Sequence, residues 1–420
     1  MASVNRRIFL GGLAASAAAP LLRAQESRGT DRLLDEIERR ACAYFYEQAD
    51  PETGLVLDRA GLHTPYAPAA CSIAATGFGL SAMCIADQRG YLDTPVARDR
   101  VAQTLRFLIE GAAHEHGFFY HFLNAKSGER IWNCEVSSVD TTWLLCGVLH
   151  CRAYWDDAEI GELARILLNR VEWPWMLSSA NTMAHGWTPE VGFLPYHWDS
   201  YSELLALYLL GISSETHPIP KVAWDSWKRP LVDYGGIFYI DSATPIFVHQ
   251  YSHAWFDFRN RTDRYANYFH NSQRATEAHR RYCVQLSRQF PAYGPDMWGV
   301  TASDSPSGYR IWGSPGAPPD GTLVPCASGG SLVFLPGPCG TVLENMVRFY
   351  GSKVWSRYGF VDAFNPQTGW YSQWVLGIDL GIMLLMAENA RSGSVWDAIM
   401  STREAKEGMS AVGLKGGVVG

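Results

Sequence analysis

Ala70-Cys71-Ser72-Ile73-Ala74-Ala75-Thr76-Gly77-Phe78-Gly79-Leu80-Ser81-Ala82-Met83-Cys84-Ile85-Ala86 decides the fold, because it carries no charge and is apolar on nearly every side of a helix. Such a helix has to be buried whole. Val139–His150, Leu204–Gly211 and Ile378–Met386 have the same character. Asp31–Gln48, Val96–Glu110, Asp157–Val171 and Asn271–Gln289 instead keep charges on one face, as helices on a surface do. The two kinds alternate. Segments begin near residues 30, 71, 94, 137, 157, 201, 219, 246, 271, 325, 339 and 377, about 10–18 residues each by their periodicity near 3.6. Six buried helices inside six amphipathic ones make an all-α, (α/α)6 barrel, a toroid whose long loops line a cleft at one end. Tyr293–Thr322 and Tyr358–Trp370, rich in Pro, Gly, Asp and rings, are expected to wall that cleft.

Composition narrows the function. The chain has 420 residues, 47% hydrophobic and 18% charged, so it can bury a large core. A net charge of −7 with only short basic runs argues against nucleic acid as a partner. The 16 Trp and 20 Tyr exceed what a core requires, and flat rings suit the apolar faces of sugars.

Met1–Ala24 reads as an export signal of the twin-arginine type, with Asn5-Arg6-Arg7-Ile8-Phe9-Leu10 ahead of the small apolar run Gly11–Leu22. The expected organisation is a signal over 1–24, one domain over 25–405 and a flexible tail over 406–420. It implies the twin-arginine export machinery as a partner, a periplasmic or secreted monomer, and no stable membrane span. Nine Cys is an odd number, and Cys42, Cys71, Cys84, Cys134, Cys146, Cys151 and Cys283 lie in helical-looking segments. They are expected to be buried thiols, consistent with folding in a reducing cytoplasm before export. No GxSxG, P-loop, GxGxxG or CxxC pattern points to another chemistry.

Acids at the starts of inner helices carry the chemistry. Glu203 closes Trp198-Asp199-Ser200-Tyr201-Ser202-Glu203, where rings and hydroxyls precede an apolar helix, a setting suited to holding a sugar and protonating a glycosidic oxygen. Glu135 and Asp140 flank Val136-Ser137-Ser138-Val139. They either cap that helix or face the barrel mouth, where one binds hydroxyls or activates water. Asp379 is a lone acid in an apolar inner helix, so it is ion-paired or faces the cleft. Glu190 lies in a turn-rich loop and reads as peripheral.

Candidates for substrate contact are Trp198, Tyr201, His249, Gln250, His253, Trp255, Asp296, Trp298, Asp304, Asp320 and Trp370. His249 and His253 share a helix face, but no third ligand stands at a known spacing, so no metal and no cofactor is expected.

From about Arg32 to Arg391 the chain resembles the bacterial glycoamylase-like domain family, which includes secreted endo-β-1,2-glucanases and a domain of cyclic β-1,2-glucan synthases. The resemblance is carried by Glu135–Thr142, Trp187–Phe193, Trp198–Tyr208 with Thr216–Pro220, Phe247–Arg259, Asn271–Thr276, Tyr293–Asp304, Asp320–Pro325, Arg357–Pro366 and Gly377–Gly381. It implies an (α/α)6 barrel that hydrolyses β-1,2-glucan or its oligosaccharides with inversion. Glu203 would then be the general acid and Asp140 the leading partner carboxylate, with Glu135 and Asp379 also open for the base. Two departures stand out. Ser200 and Ser202 flank Tyr201 where relatives often carry Gly and Asn, and Pro325-Cys326-Ala327-Ser328 replaces Pro-Thr-Ala-Ala. The alternatives are an exo-acting glucosidase or transglycosylase on short β-1,2-gluco-oligosaccharides, and a carbohydrate-binding protein without turnover.

Overall fold

The computed structural model of the protein describes residues 29–64, 69–312 and 319–416; the expected export signal lies outside the described residues. Its helices are α1 (29–47), α2 (Ile73–Gln88), α3 (Thr94–Glu110), α4 (Ser138–Tyr154), α5 (Ala158–Asn169), α6 (Leu205–Ser213), α7 (Tyr251–Trp255), α8 (Tyr268–Gln285), α9 (Pro325–Gly329), α10 (Pro336–Tyr350), α11 (Gly377–Arg391), α12 (Ser394–Ser401) and α13 (Arg403–Ala411). Helices α2, α4, α6, α7, α9 and α11 form the inner ring of an (α/α)6 barrel. Helices α1, α3, α5, α8 and α10 stand outside it, and the remaining outer place is taken by the 3-10 turn Lys221–Asp225.

Side chains and bare backbone stitch the ring together. Ser252 of α7 accepts from the Ala206 N–H at 3.1 Å and donates to the Glu203 carbonyl at 3.2 Å, supplying a cap that α6 lacks of its own. Gln250 donates to the Ala327 carbonyl and the Ser331 hydroxyl at 2.9 and 2.8 Å, joining α7 to the segment that begins with α9. Between α2 and α4 the backbones touch, since a Cβ on Gly147 would lie 2.1 Å from the Gly77 carbonyl oxygen. Glycine is therefore obligatory at this crossing.

The expected helix lengths fail at three places. α7 and α9 have five residues each, and Lys221–Asp225 is a single 3-10 segment. Prolines interrupt or punctuate these regions at 218, 220, 245, 325 and 336, while buried rings, Trp224 and Trp227 among them, fill the space that a longer outer helix would take. The expected flexible tail is also corrected. α13 packs Ala405, Gly408 and Met409 inward, Leu414 is buried, and Lys415–Gly416 pairs with Arg261–Thr262. The periodicity of this last helix lies in small residues, which is why a boundary at 405 looked plausible. All nine cysteines are free thiols, eight of them buried. No helix among the described residues is long and apolar enough to cross a membrane.

One end of the barrel carries a collar of short strands that sequence periodicity did not signal. Ala70–Ser72 runs into α2 and pairs with Phe122–Asn124; Val136–Ser137 runs into α4 and pairs with Gly186–Thr188; Trp374–Leu376 runs into α11 and pairs with Arg59–Gly61. Each strand fixes where its helix begins. Ser72 and Ser137 then cap α2 and α4 by accepting from the N–H groups of Ala75 and Asp140 at 3.2 Å.

The glycine crossing gives a stability test. Gly147→Ala should lose at least about 2 kcal/mol through overpacking. Gly161→Ala, on α5 with nothing within 4 Å of its would-be Cβ, should instead gain up to about 1 kcal/mol. Urea midpoints of the two variants measure both, and equal midpoints would contradict the backbone contact.

Candidate active site

The collar surrounds a cavity of about 460 Å³ at the barrel mouth. Glu135, Asp140, Glu203 and Asp379 all line it, so the acids chosen from sequence converge on one hollow. Trp198 lines it as well, stacked on His185 with ring centroids 3.9 Å apart and donating to the Ser138 hydroxyl at 3.0 Å.

Glu203 is half-buried at the start of α6. Burial, then the charge of Asp140, raise its pKa to about 8, against an opposing pull from the His121 charge and a hydrogen bond from the Trp143 indole. At neutral pH it is an acid that holds its proton. His121 stands between the other two carboxylates, with Nδ1 3.0 Å from Glu135 Oε1 and Nε2 3.6 Å from Asp140 Oδ1. Burial pulls the imidazole pKa down, but Asp140 and Glu135 outweigh it and bring it up to about 9. Burial would raise Glu135, yet its bond to His121 leaves it below the ordinary value. Asp140, in the first turn of α4, also accepts from the hydroxyl of Ser137, the residue that caps the helix, at 2.5 Å, and it faces the cavity. His121, Glu135 and Asp140 each offer one ligand atom within 4.8 Å of the others, a span that a cation could bridge. With His121 protonated, the imidazolium itself occupies that role.

Asp379, in the first turn of α11, faces a second carboxyl. Its Oδ2 and Asp362 Oδ1 are both buried without a hydrogen-bond partner of ordinary geometry, and each carboxyl perturbs the other. Burial raises both; Asp362 is raised further because Asp379 repels its charge, so Asp362 keeps the proton and donates it. Cys326, at one of the departures from the family pattern, gives Asp379 a thiol hydrogen bond. Asp304 stands nearby, accepting from Arg59 at 3.5 Å, while its N–H donates to Asp362 at 2.8 Å.

Most of the aromatic and histidine candidates are elsewhere. Tyr201 is fully buried and bonded to His249, which faces Asp241; Gln250 ties inner segments together; and His253 is buried against Ser272, with its pKa lowered to about 3 by burial. Trp255 stacks on Trp143 and donates to Ser81, and Trp298 is buried beside His279. Asp296 is exposed, Asp320 accepts from Thr322 within its own turn, and Trp370 lies half-buried in the hairpin with Phe364–Asn365. None of these nine lines the cavity. In a barrel of short inner helices, rings and imidazoles are needed to plug the axis, and their helical spacing is the same as that of a binding face. Glu190 is peripheral as expected, in an exposed pair with Arg130. The sequence reading missed His121, His185, Arg59, Tyr251 and Tyr309, which line the cavity. Of these, His121 gave a local signal, sitting among Phe118, Phe119, Tyr120 and Phe122 upstream of Glu135, and Tyr251 lay inside the segment Phe247–Arg259.

Residues 195–403 match the Glycoamylase family model, described as "Putative glucoamylase". Over those residues the chain is similar to the glycoamylase family. It is 26% identical, over 91% of its own length, to an exo β-1,2-glucooligosaccharide sophorohydrolase of Parabacteroides distasonis, and spans 58% of the length of that curated relative. Among solved structures it resembles an endo-β-1,2-glucanase from Chitinophaga pinensis in complex with sophorotriose and glucose, at 27% identity and a TM-score of 0.85, covering 92% of this chain and 98% of that one. An endo-β-1,2-glucanase from Talaromyces funiculosus shares the fold at 13% identity and a TM-score of 0.66, covering 94% and 93%.

The charge pattern of the site predicts how stability varies with pH. His121 has a raised pKa, so its stabilising charge is complete below about 6.5 and is lost as pH rises through about 9. Glu203, also raised, loses its contribution between 4.5 and about 8. Thermal melts should fall across these windows, and His121→Asn should flatten the fall towards pH 9. An unchanged slope in that variant would contradict the imidazolium assignment.

Proposed function

We propose that this protein is a glycoside hydrolase that cleaves β-1,2-glucan or its oligosaccharides with inversion, Glu203 acting as general acid and Asp379 as general base. The carrying observation is the Glu203 carboxyl held protonated, with a pKa of about 8, in a cavity that also contains Asp140 and Asp379. Its proton passes to the glycosidic oxygen as the bond to the anomeric carbon breaks. A water attacks that carbon from the opposite face and gives its proton to Asp379, leaving the product with inverted configuration. Solvent then returns a proton to Glu203 and takes one from Asp379.

Asp379 is preferred over Asp140 and Glu135 because its neighbours Asp362 and Cys326 are neutral donors, whereas the other two face the His121 imidazolium. Asp140 is engaged by Ser137 and His121, and Glu135 by His121. Asp379 combines a raised pKa, which makes it the stronger base, with a place on the cavity wall. The names of the relatives support the β-1,2 linkage and include both endo and exo enzymes. A protein that only binds sugar would have no use for a carboxyl poised to give up a proton near neutral pH.

Export by the twin-arginine route into the periplasm or medium belongs to the same reading and rests on Asn5-Arg6-Arg7-Ile8-Phe9-Leu10.

Glu203→Gln should lose roughly 10²–10⁴ in kcat while glucan binding persists. In the parent enzyme, kcat/KM should fall above pH about 8, as Glu203 gives up its proton. Reducing-sugar assays on β-1,2-glucan with anomer-resolved product analysis measure this. Near-normal turnover by the variant would refute the acid assignment, and retained configuration would refute a direct attack by water.

A further inference from the structure

Trp132 is out of keeping with the other tryptophans of the chain. They are all buried or half-buried, whereas Trp132 is 57% exposed. It also has an unfavourable backbone. The Cys134 N–H donates to the Ile131 carbonyl at 3.2 Å, closing a turn whose central residues, Trp132 and Asn133, have φ of 57° and 51°. Turns with both central residues at positive φ favour Asn, Asp and Gly, and a bulky ring is a poor choice there.

The turn is firmly held on either side. Arg130 donates to the Cys134 carbonyl at 2.6 Å and to both carboxylate oxygens of Glu190 at 2.7 and 3.0 Å. The Cys134 thiol donates to the Phe122 carbonyl at 3.3 Å, and the Ile131 N–H donates to the same oxygen at 3.3 Å. A strained turn, clamped in place, thus displays an indole with more than half of its surface exposed. Strain of this kind persists where a function requires it.

Its position suggests which function. His121 stacks on Phe122 with centroids 4.0 Å apart, and both rings line the cavity. Trp132 meets Phe122 edge-on at 5.2 Å, one ring further out. We propose that Trp132 is a stacking platform at the cavity rim for a glucosyl unit of a glucan chain lying beyond the units held inside. This deepens the hydrolase reading and rests on it. The occupant is a sugar because Trp132 offers an exposed ring one step beyond Phe122, which lines a cavity whose polar groups suit hydroxyls.

The test compares a long linear β-1,2-glucan with the shortest β-1,2-gluco-oligosaccharide that the enzyme cleaves. Trp132→Ala should raise KM for the long chain by about tenfold, change KM for the short one by less than about twofold, and leave kcat nearly intact. Trp132→Tyr should keep most of the preference. Trp132→Gly should lose the preference while melting no lower than the parent, because glycine relieves the positive φ. Equal effects on both substrates, no effect on either, or a Tm several degrees lower in Trp132→Ala would overturn the platform. If the parent cleaves no β-1,2-glucan, the hydrolase reading fails instead. Calorimetric binding of that glucan to the parent then decides Trp132, and binding that is absent or indifferent to Trp132→Ala overturns the platform.

Discussion

Three carboxyl groups and one imidazole share one side of the cavity, and they cannot all be ionised at once. His121 takes a proton and satisfies Glu135 and Asp140, which leaves Glu203 beside the Asp140 charge with little water to screen it. Its cheapest course is to keep its proton. The opposite wall repeats the solution with different groups, since Asp362 stays protonated so that Asp379 can carry charge. An acid and a base at neutral pH thus arise from crowding like charges in a partly dry hollow.

The barrel makes that crowding possible. The strand collar sets the starting points of α2, α4 and α11, and Ser252 fixes the backbone at Glu203, so side chains from distant segments reach the same space. Below them Phe78, Trp143, Tyr251 and Trp255 pack ring against ring, with Trp143 and Trp255 nearly parallel at 5.6 Å. These rings close the axis and hold the Trp143 indole against Glu203. The electrostatics of the site therefore depend on a hydrophobic plug, of which only Trp143 and Tyr251 reach the cavity wall.

Much of this was legible in the chain. The alternation of all-apolar and amphipathic segments revealed the toroid, because burial on every side leaves no other place for a helix such as α2. Glu203, Glu135, Asp140 and Asp379 were legible for a related reason: an acid beside an apolar helix has to be accounted for. Aromatic and histidine candidates on α7 failed because stacking on a sugar and stacking in a core call for the same residues at the same spacing. His121 was missed because its importance comes from Glu135 and Asp140 across a strand pairing, and local periodicity does not encode that register. Asp362 was hidden in the same way, as its partner lies on another element of the barrel.

The protonation of Glu203 can be observed directly. Infrared difference spectra of the parent protein against Glu203→Gln, recorded across the pH range with ¹³C-labelled glutamate, isolate that one carboxyl. The account predicts a protonated C=O band that persists at neutral pH and converts to carboxylate near pH 8. A carboxylate band already complete at neutral pH, with titration near the ordinary value of 4.5, would contradict it.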